Sequence, residues 1–193
     1  MPDSLFFILL GFLGLRLAQM GLTLLNLRHQ ARHGDTIPPG FAGELDRGLL
    51  AKMRDYTLSS GRLGLAQAGF DLVLALIFFF GGLLDWYNSW LASHRWPLLV
   101  AGPLFFLLLT YAQALLHLPF SLYRTFRIEQ RFGFNTQRPG AWALDLLKSL
   151  LLTTVLTGLL LGGSFWLIGR LPEAWWLVVW LVENHLLMSS VAQ

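Results

Sequence analysis

Two histidines four residues apart, His29 and His33 in "HQARH", have the spacing of a metal site. On a helix they share one face, as the two ligands of an H-E-x-x-H zinc helix do. Gln30 stands where that motif carries its general base, and no third ligand is evident. The stretch therefore reads as a basic juxtamembrane segment with its imidazoles at headgroup depth. A second set of reactive side chains lies within apolar runs: Arg16, Asp71, His117, Glu183 and His185. A charge alone in hydrocarbon is costly, so Arg16 and Asp71 are expected either to form an intramembrane polar pair pinning two helices or to line a proton or ion path. We take the pair as the expectation. His117, Glu183 and His185 are suited to a polar chamber, but none of them shows the i, i+4 spacing of a peptidase zinc. With no cysteine in the chain, disulfides, thiolate nucleophiles and thiolate-bound metals are excluded. No catalytic and no metal-ligating residue is assigned, and no cofactor is expected in this chain.

The third candidate is "RTFRIEQRFGFN", Arg124 to Asn135, where charges and rings alternate inside an otherwise oily sequence. Phe120, Tyr123, Phe126 and Ile128 suit the membrane interface, while Arg124, Arg127 and Arg131 reach phosphates or water. Gly133 is expected to end a helix and Asn135 to begin the next turn. Glu129 has no neighbouring histidine or nucleophile. Physical chemistry alone gives an interfacial re-entry and not a catalytic constellation.

The elements that must hold these residues follow from composition. The chain has 193 residues, of which 55% are hydrophobic and 13% charged, and its mean hydropathy is +0.56. A typical globular chain is about 25% charged, so long segments here have no face to offer water. Runs of roughly 20 apolar residues each cross a ~30 Å hydrocarbon core as helices. The expected fold is all-α: a single multi-pass membrane domain over 1–193, with about five spans near 5–27, 63–84, 97–119, 146–168 and 172–191. The third span is bounded by proline at both ends. The fifth is the weakest, because "VENHLL" places Glu183, Asn184 and His185 inside it. The N-terminus lacks a basic n-region, and its apolar run continues past Arg16, which favours a retained span over a cleaved leader.

Charge sets the expected orientation. The first loop carries Arg28, Arg32, Arg47, Lys52, Arg54 and Arg62, and the third carries Arg124, Arg127, Arg131 and Arg138. The second has only Arg95 and the fourth only Arg170. By the positive-inside rule, loops one and three are cytoplasmic and the N-terminus is not. Trp86, Trp90, Trp96, Trp175 and Trp176 then fall in the outer aromatic belt. The first loop is long and partly helical: "DTIPPGFAGEL" has turn chemistry, and Leu49, Leu50, Met53 and Tyr56 form one stripe, as on a surface helix. Gly11, Gly14 and Gly21 in span one, and Gly158, Gly162 and Gly163 in span four, permit close helix contact. The basic residues are not gathered on one solvated face, so nucleic acid is not an expected partner.

"FRIEQRFGFNTQRPGAWALDLLKSLLL" resembles the hallmark of the type-1 CAAX prenyl protease family, whose N-terminal membrane region carries an F-x-I-E-x-R-F-G-F-N run and then a D-x-x-K-type pair. The matching residues are Phe126, Ile128, Glu129, Arg131, Phe132, Gly133, Phe134 and Asn135, followed by Asp145 and Lys148. "LPFSLYRTF" and the first-loop pattern through "MRDYTLSSGRLGL" are similar to the family's bacterial members, and the likeness runs from about residue 20 to 170. The resemblance implies a membrane-embedded zinc endopeptidase that cuts prenylated CAAX tails inside a helix-walled chamber, using H-E-x-x-H and a downstream Glu. Those residues are not in this sequence. The expectation is the N-terminal chamber wall and cytoplasmic loops of such a protease, with zinc belonging to the complete family protein. An expressed fragment, a truncated gene or a free-standing paralogue would each account for it. The alternatives are a non-catalytic scaffold or partner subunit and, on Arg16, Asp71 and His117 alone, a small transporter. Expected partners are the lipid bilayer and a catalytic metallopeptidase half or another membrane protein. The expected location is a bacterial inner membrane.

Overall fold

The computed structural model describes residues 3–34, 36, 46–177 and 180. They form helices α1 (Asp3–His33), α2 (Arg47–Phe80), α3 (Leu83–Ser93) and α4 (Leu98–Tyr123), a π-helical turn (Arg124–Glu129), a last turn α5 (Gln130–Phe132), and α6 (Pro139–Arg170). Among the described residues, four stretches are long and apolar enough to cross a membrane: Phe6–His33, Arg47–Phe80, Leu98–Phe132 and Pro139–Arg170. Their large apolar side chains, among them Phe7, Leu22, Phe79, Leu115, Leu159 and Leu160, face outward. Such faces are stable only in lipid or against other apolar chains, so this is an integral, multi-pass helical protein. Most of the expected fifth span, with Glu183, Asn184 and His185, lies outside the described residues, as does the "IPPGFAG" turn.

Several helix limits differ from the sequence reading for local reasons. The second span is not preceded by a separate surface helix. It is the far part of one continuous α2, started by Asp46, whose carboxylate accepts from the Gly48 amide at 3.0 Å. It ends at Gly81, whose amide donates to Leu76 and Ile77, and Gly82 then turns with φ 81°. Leu49 and Met53 of the predicted stripe are exposed, whereas Tyr56 packs on the chain. Pro119 does not end the third span. It lies inside α4, where lipid leaves the helix no competing hydrogen-bond partners. The "re-entry" is therefore helical through Phe132, and the connection to α6 shrinks to residues 133–138. Pro139 begins α6 at a position where a missing amide costs nothing. The second loop is mostly helix α3, which buries Tyr87 and Leu91 and exposes Trp86 and Trp90.

The chain divides into two compact units. The first holds the residues up to Leu84 and His117–Thr136, and the second holds Asp85–Leu116 and the residues from Gln137 onward. In the first, α1 packs on α2 with Leu27 against Gly61, where any added Cβ would collide with the leucine's methyl. In the second, Gly102 lies under Phe165, and a methyl there would sit 2.5 Å from Cζ. Tyr87 donates to the Phe105 carbonyl at 2.7 Å, burial pushes its phenol pKa up, and Tyr111 bonds Thr154. The glycines expected at contacts, Gly11, Gly14, Gly21, Gly158, Gly162 and Gly163, have no described residue within 4 Å of an added Cβ. Small size permits close approach, but it does not select the site where a neighbour arrives.

Candidate functional site

The signature residues build a reversal locked onto a π-turn. After α4, the switch from i→i+4 to i→i+5 bonding widens the helix over Arg124–Glu129. Gly133 then adopts the left-handed conformation (φ 77°), which only glycine takes without a steric penalty. This turns the chain back, so the amides of Phe134 and Asn135 both reach the Glu129 carbonyl, at 2.8 and 3.2 Å. The Gly133 amide reaches Gln130 at 3.1 Å. The Asn135 side chain donates Nδ2 to the Thr125 carbonyl at 3.0 Å, inside the π-turn itself. Asn135 thus closes the reversal and does not start a new turn.

Aromatic contacts seat this reversal on α2. The Tyr56 ring meets Phe132 and Phe134 edge-on, with centroids 5.6 and 4.9 Å apart, and Lys52 Nζ lies 5.5 Å from the Phe134 centroid. Ile128 and Phe132 are among the most buried side chains described, at 5% and 7% exposure. Arg131 lies over the Phe132 ring, and Phe126 is half-buried. Among the described residues the Glu129 carboxylate makes no ion pair or hydrogen bond, while its backbone carbonyl takes the amides of Phe134 and Asn135. Asp145 and Lys148 belong to the second unit: Gln137 donates to Asp145 at 2.6 Å, and Lys148 lies 3.9 Å from it, both partners exposed.

Deeper along α2 lies a polar cluster. His117 Nε2 and Asp71 Oδ1 are 2.6 Å apart, and His117 Nδ1 and Gln67 Nε2 are 3.2 Å apart. Gln67 and Asp71 are one helical turn apart on α2, so one imidazole on α4 bridges both. The pairing expected between Arg16 and Asp71 differs here: both line one small cleft, but the carboxylate is held by His117, and Arg16 lies over Phe12. Gln67 was missed by sequence reasoning. Its signal was the i, i+4 spacing from Asp71, which matters only once His117 is known to lie opposite.

The residues described do not fit a zinc site. No three of His, Asp and Glu gather among them. His29 and His33 do share a face, but their rings stack 4.7 Å apart, and His33 Nδ1 is 3.3 Å from the His29 carbonyl. Two stacked rings with no third donor are a helix-surface pair. Among the described residues, neither the reversal nor the polar cluster presents a nucleophile beside a base.

Comparison with known proteins agrees with this architecture. A CAAX prenyl protease 1 homolog of Caenorhabditis elegans is 30% identical over 130 residues, covering 67% of this chain and 28% of that protein. CAAX prenyl protease 1 of Saccharomyces cerevisiae is 27% identical over 192 residues, covering 92% and 42%. The chain thus spans less than half the length of these relatives. The crystal structure of S. mikatae Ste24p superposes with a TM-score of 0.72 at 22% identity, over 91% of this chain and 43% of that one, which shows a shared fold. Residues 26–189 match the family described as CAAX prenyl protease N-terminal, five membrane helices, and the chain belongs to that family.

Proposed function

We propose that this chain supplies the membrane wall and the cytoplasmic loops of a CAAX prenyl protease-like zinc endopeptidase, whose metal is held by residues other than those described. The observation that carries the reading is the reversal at Gly133. It is built from the signature residues themselves, is braced by Tyr56, and holds no acid–base pair among the described residues. Such a turn positions other groups and does not react. In this arrangement the loops bearing Arg28–Arg62 and Arg124–Arg138 face the cytosol of a bacterial cell, and the N-terminus faces away.

Two measurements test it. The purified chain should contain no stoichiometric zinc and should not cleave a prenylated CAAX peptide. Zinc at one per chain, with proteolysis abolished by a chelator, would refute it. Because the chain has no cysteine, a single Glu129→Cys substitution gives an unambiguous topology probe. Labelling of that thiol from the periplasmic side of intact cells by an impermeant maleimide would overturn the orientation.

A further inference from the structure

A cleft of about 860 Å³ lies in the first unit, between Ser59, Arg62 and Leu63 of α2 and the Tyr123–Phe132 segment. Arg62, Arg127 and Arg131 all line it, and among the described residues no carboxylate does. The spacing explains the convergence. Tyr123, Arg127 and Arg131 recur every four residues along one helix face, and Ser59, Arg62 and Leu63 share a face of α2. None of the three arginines has a carboxylate partner among the described residues. Acids are not missing from the neighbourhood: Asp55 is held by Arg54 at 3.1 Å, and Glu129 is not among the residues that line the cleft.

Three guanidiniums in one hollow repel each other unless an anion joins them. Depth in the membrane says which kind. From Leu98 to Tyr123, α4 contains no Lys, Arg, Asp or Glu, and Arg124 is the first charge after it. On α2, Arg62 is the last basic residue before Phe80. Both helices therefore leave their apolar stretch at this cleft, which puts it at the level of lipid phosphates. Its remaining wall includes Leu63, Phe126 and Phe132, which suit a glycerol and the start of acyl chains better than they suit a hydrated ion. The Tyr123 hydroxyl adds a donor for a phosphate oxygen, whereas Ser59 already donates its O–H to the Asp55 carbonyl at 2.7 Å.

We propose that this cleft binds the phosphate of an anionic phospholipid, gripped by Arg62, Arg127 and Arg131. Guanidinium matches phosphate with paired N–H donors, and the low-dielectric rim strengthens each contact. The proposal is independent of any peptidase activity, because none of these residues has been given a reaction step.

The test uses the full chain in phosphatidylcholine nanodiscs, with and without phosphatidylglycerol, read by thermal unfolding and by native mass spectrometry of retained lipid. Phosphatidylglycerol should raise the melting temperature and remain bound on release. The triple substitution Arg62→Gln, Arg127→Gln, Arg131→Gln should weaken retention on the order of a hundredfold, each arginine near an anionic surface contributing roughly fivefold. Arg28→Gln, Arg32→Gln, Arg47→Gln removes equal charge elsewhere and should retain the lipid. Helix content by circular dichroism separates lost binding from lost fold, and each single cleft substitution should give a partial loss. Equal loss in both triple variants would overturn the site in favour of diffuse attraction. Equal stabilisation by inorganic phosphate alone would overturn the lipid as ligand. Arginine-dependent binding of a prenylated peptide carboxylate, without phosphatidylglycerol binding, would overturn it in favour of a peptide site.

Discussion

The contact between Asp71 and His117 makes a prediction that separates a helix clamp from a proton path. The perturbation is a double-mutant cycle with Asp71→Ala and His117→Ala. Their 2.6 Å separation and acid–base complementarity describe a charge-assisted bond, a class with a net contribution of about 1.5–3 kcal/mol in water-soluble proteins. Two considerations lower that range. Side-chain exposures of 23% and 40% leave room for solvent or headgroups, and cycles in membrane helices average about 0.6 kcal/mol with a maximum of ~1.7. A coupling of about 0.6–1.7 kcal/mol follows. The cycle also removes the single-site cost of losing the His117 ring beside Phe70 and Phe120. Reversible unfolding in mixed micelles titrated with dodecyl sulfate measures it. Arg16→Ala combined with His117→Ala should be additive within about 0.5 kcal/mol, since no bond joins them. Proton flux in liposomes should be the same for Asp71→Asn and the parent. A coupling near zero, a larger coupling between Arg16 and Asp71, or a flux that vanishes with Asp71→Asn would each refute the clamp.

Gly102→Ala should destabilise by about 1–3 kcal/mol, because the added methyl must displace the Phe165 ring, and Phe165→Leu should restore most of the loss in a melting experiment. Asn135→Ala should cost about 1–3 kcal/mol by removing its side-chain donor from the Thr125 carbonyl inside the π-turn, and hydrogen exchange should rise at residues 134 and 135 before it rises in α4. Burial raises the Tyr87 pKa above 10.0, so the folded state holds that proton longer than the unfolded chain does. The contribution of Tyr87 to stability is therefore fully present below pH 10.0 and is lost as pH climbs through the folded value, and Tyr87→Phe should flatten that alkaline decline relative to the parent.

Span existence was legible because hydropathy is additive: nothing else explains eighteen-residue stretches such as Leu98–Leu115 with no charge. The helix ends were less so. Pro119 reads as a terminator from propensities measured in water, yet in lipid the backbone stays bonded and the helix passes through it. The reversal was half legible. Gly133 announced itself, but the Asn135 bond to Thr125 exists only because a π-turn, which leaves no compositional trace, offers a carbonyl there. The polar cluster was misassigned for a related reason. Depth in two spans suggested Arg16 for Asp71, while the partner is fixed by which face α4 turns toward α2, a tertiary fact. The same holds for glycine: Gly61 and Gly102 were chosen by the arrival of Leu27 and Phe165.

The unbroken run of α2 from Arg47 to Phe80 has a mechanical consequence. At 1.5 Å per residue its 34 residues make a rod of about 51 Å, some 20 Å longer than the oil it must traverse. One unbroken backbone ladder therefore carries both Lys52 and Tyr56, which meet the reversal, and Gln67 and Asp71, which meet His117, so a tilt of this helix moves both sets of contacts together.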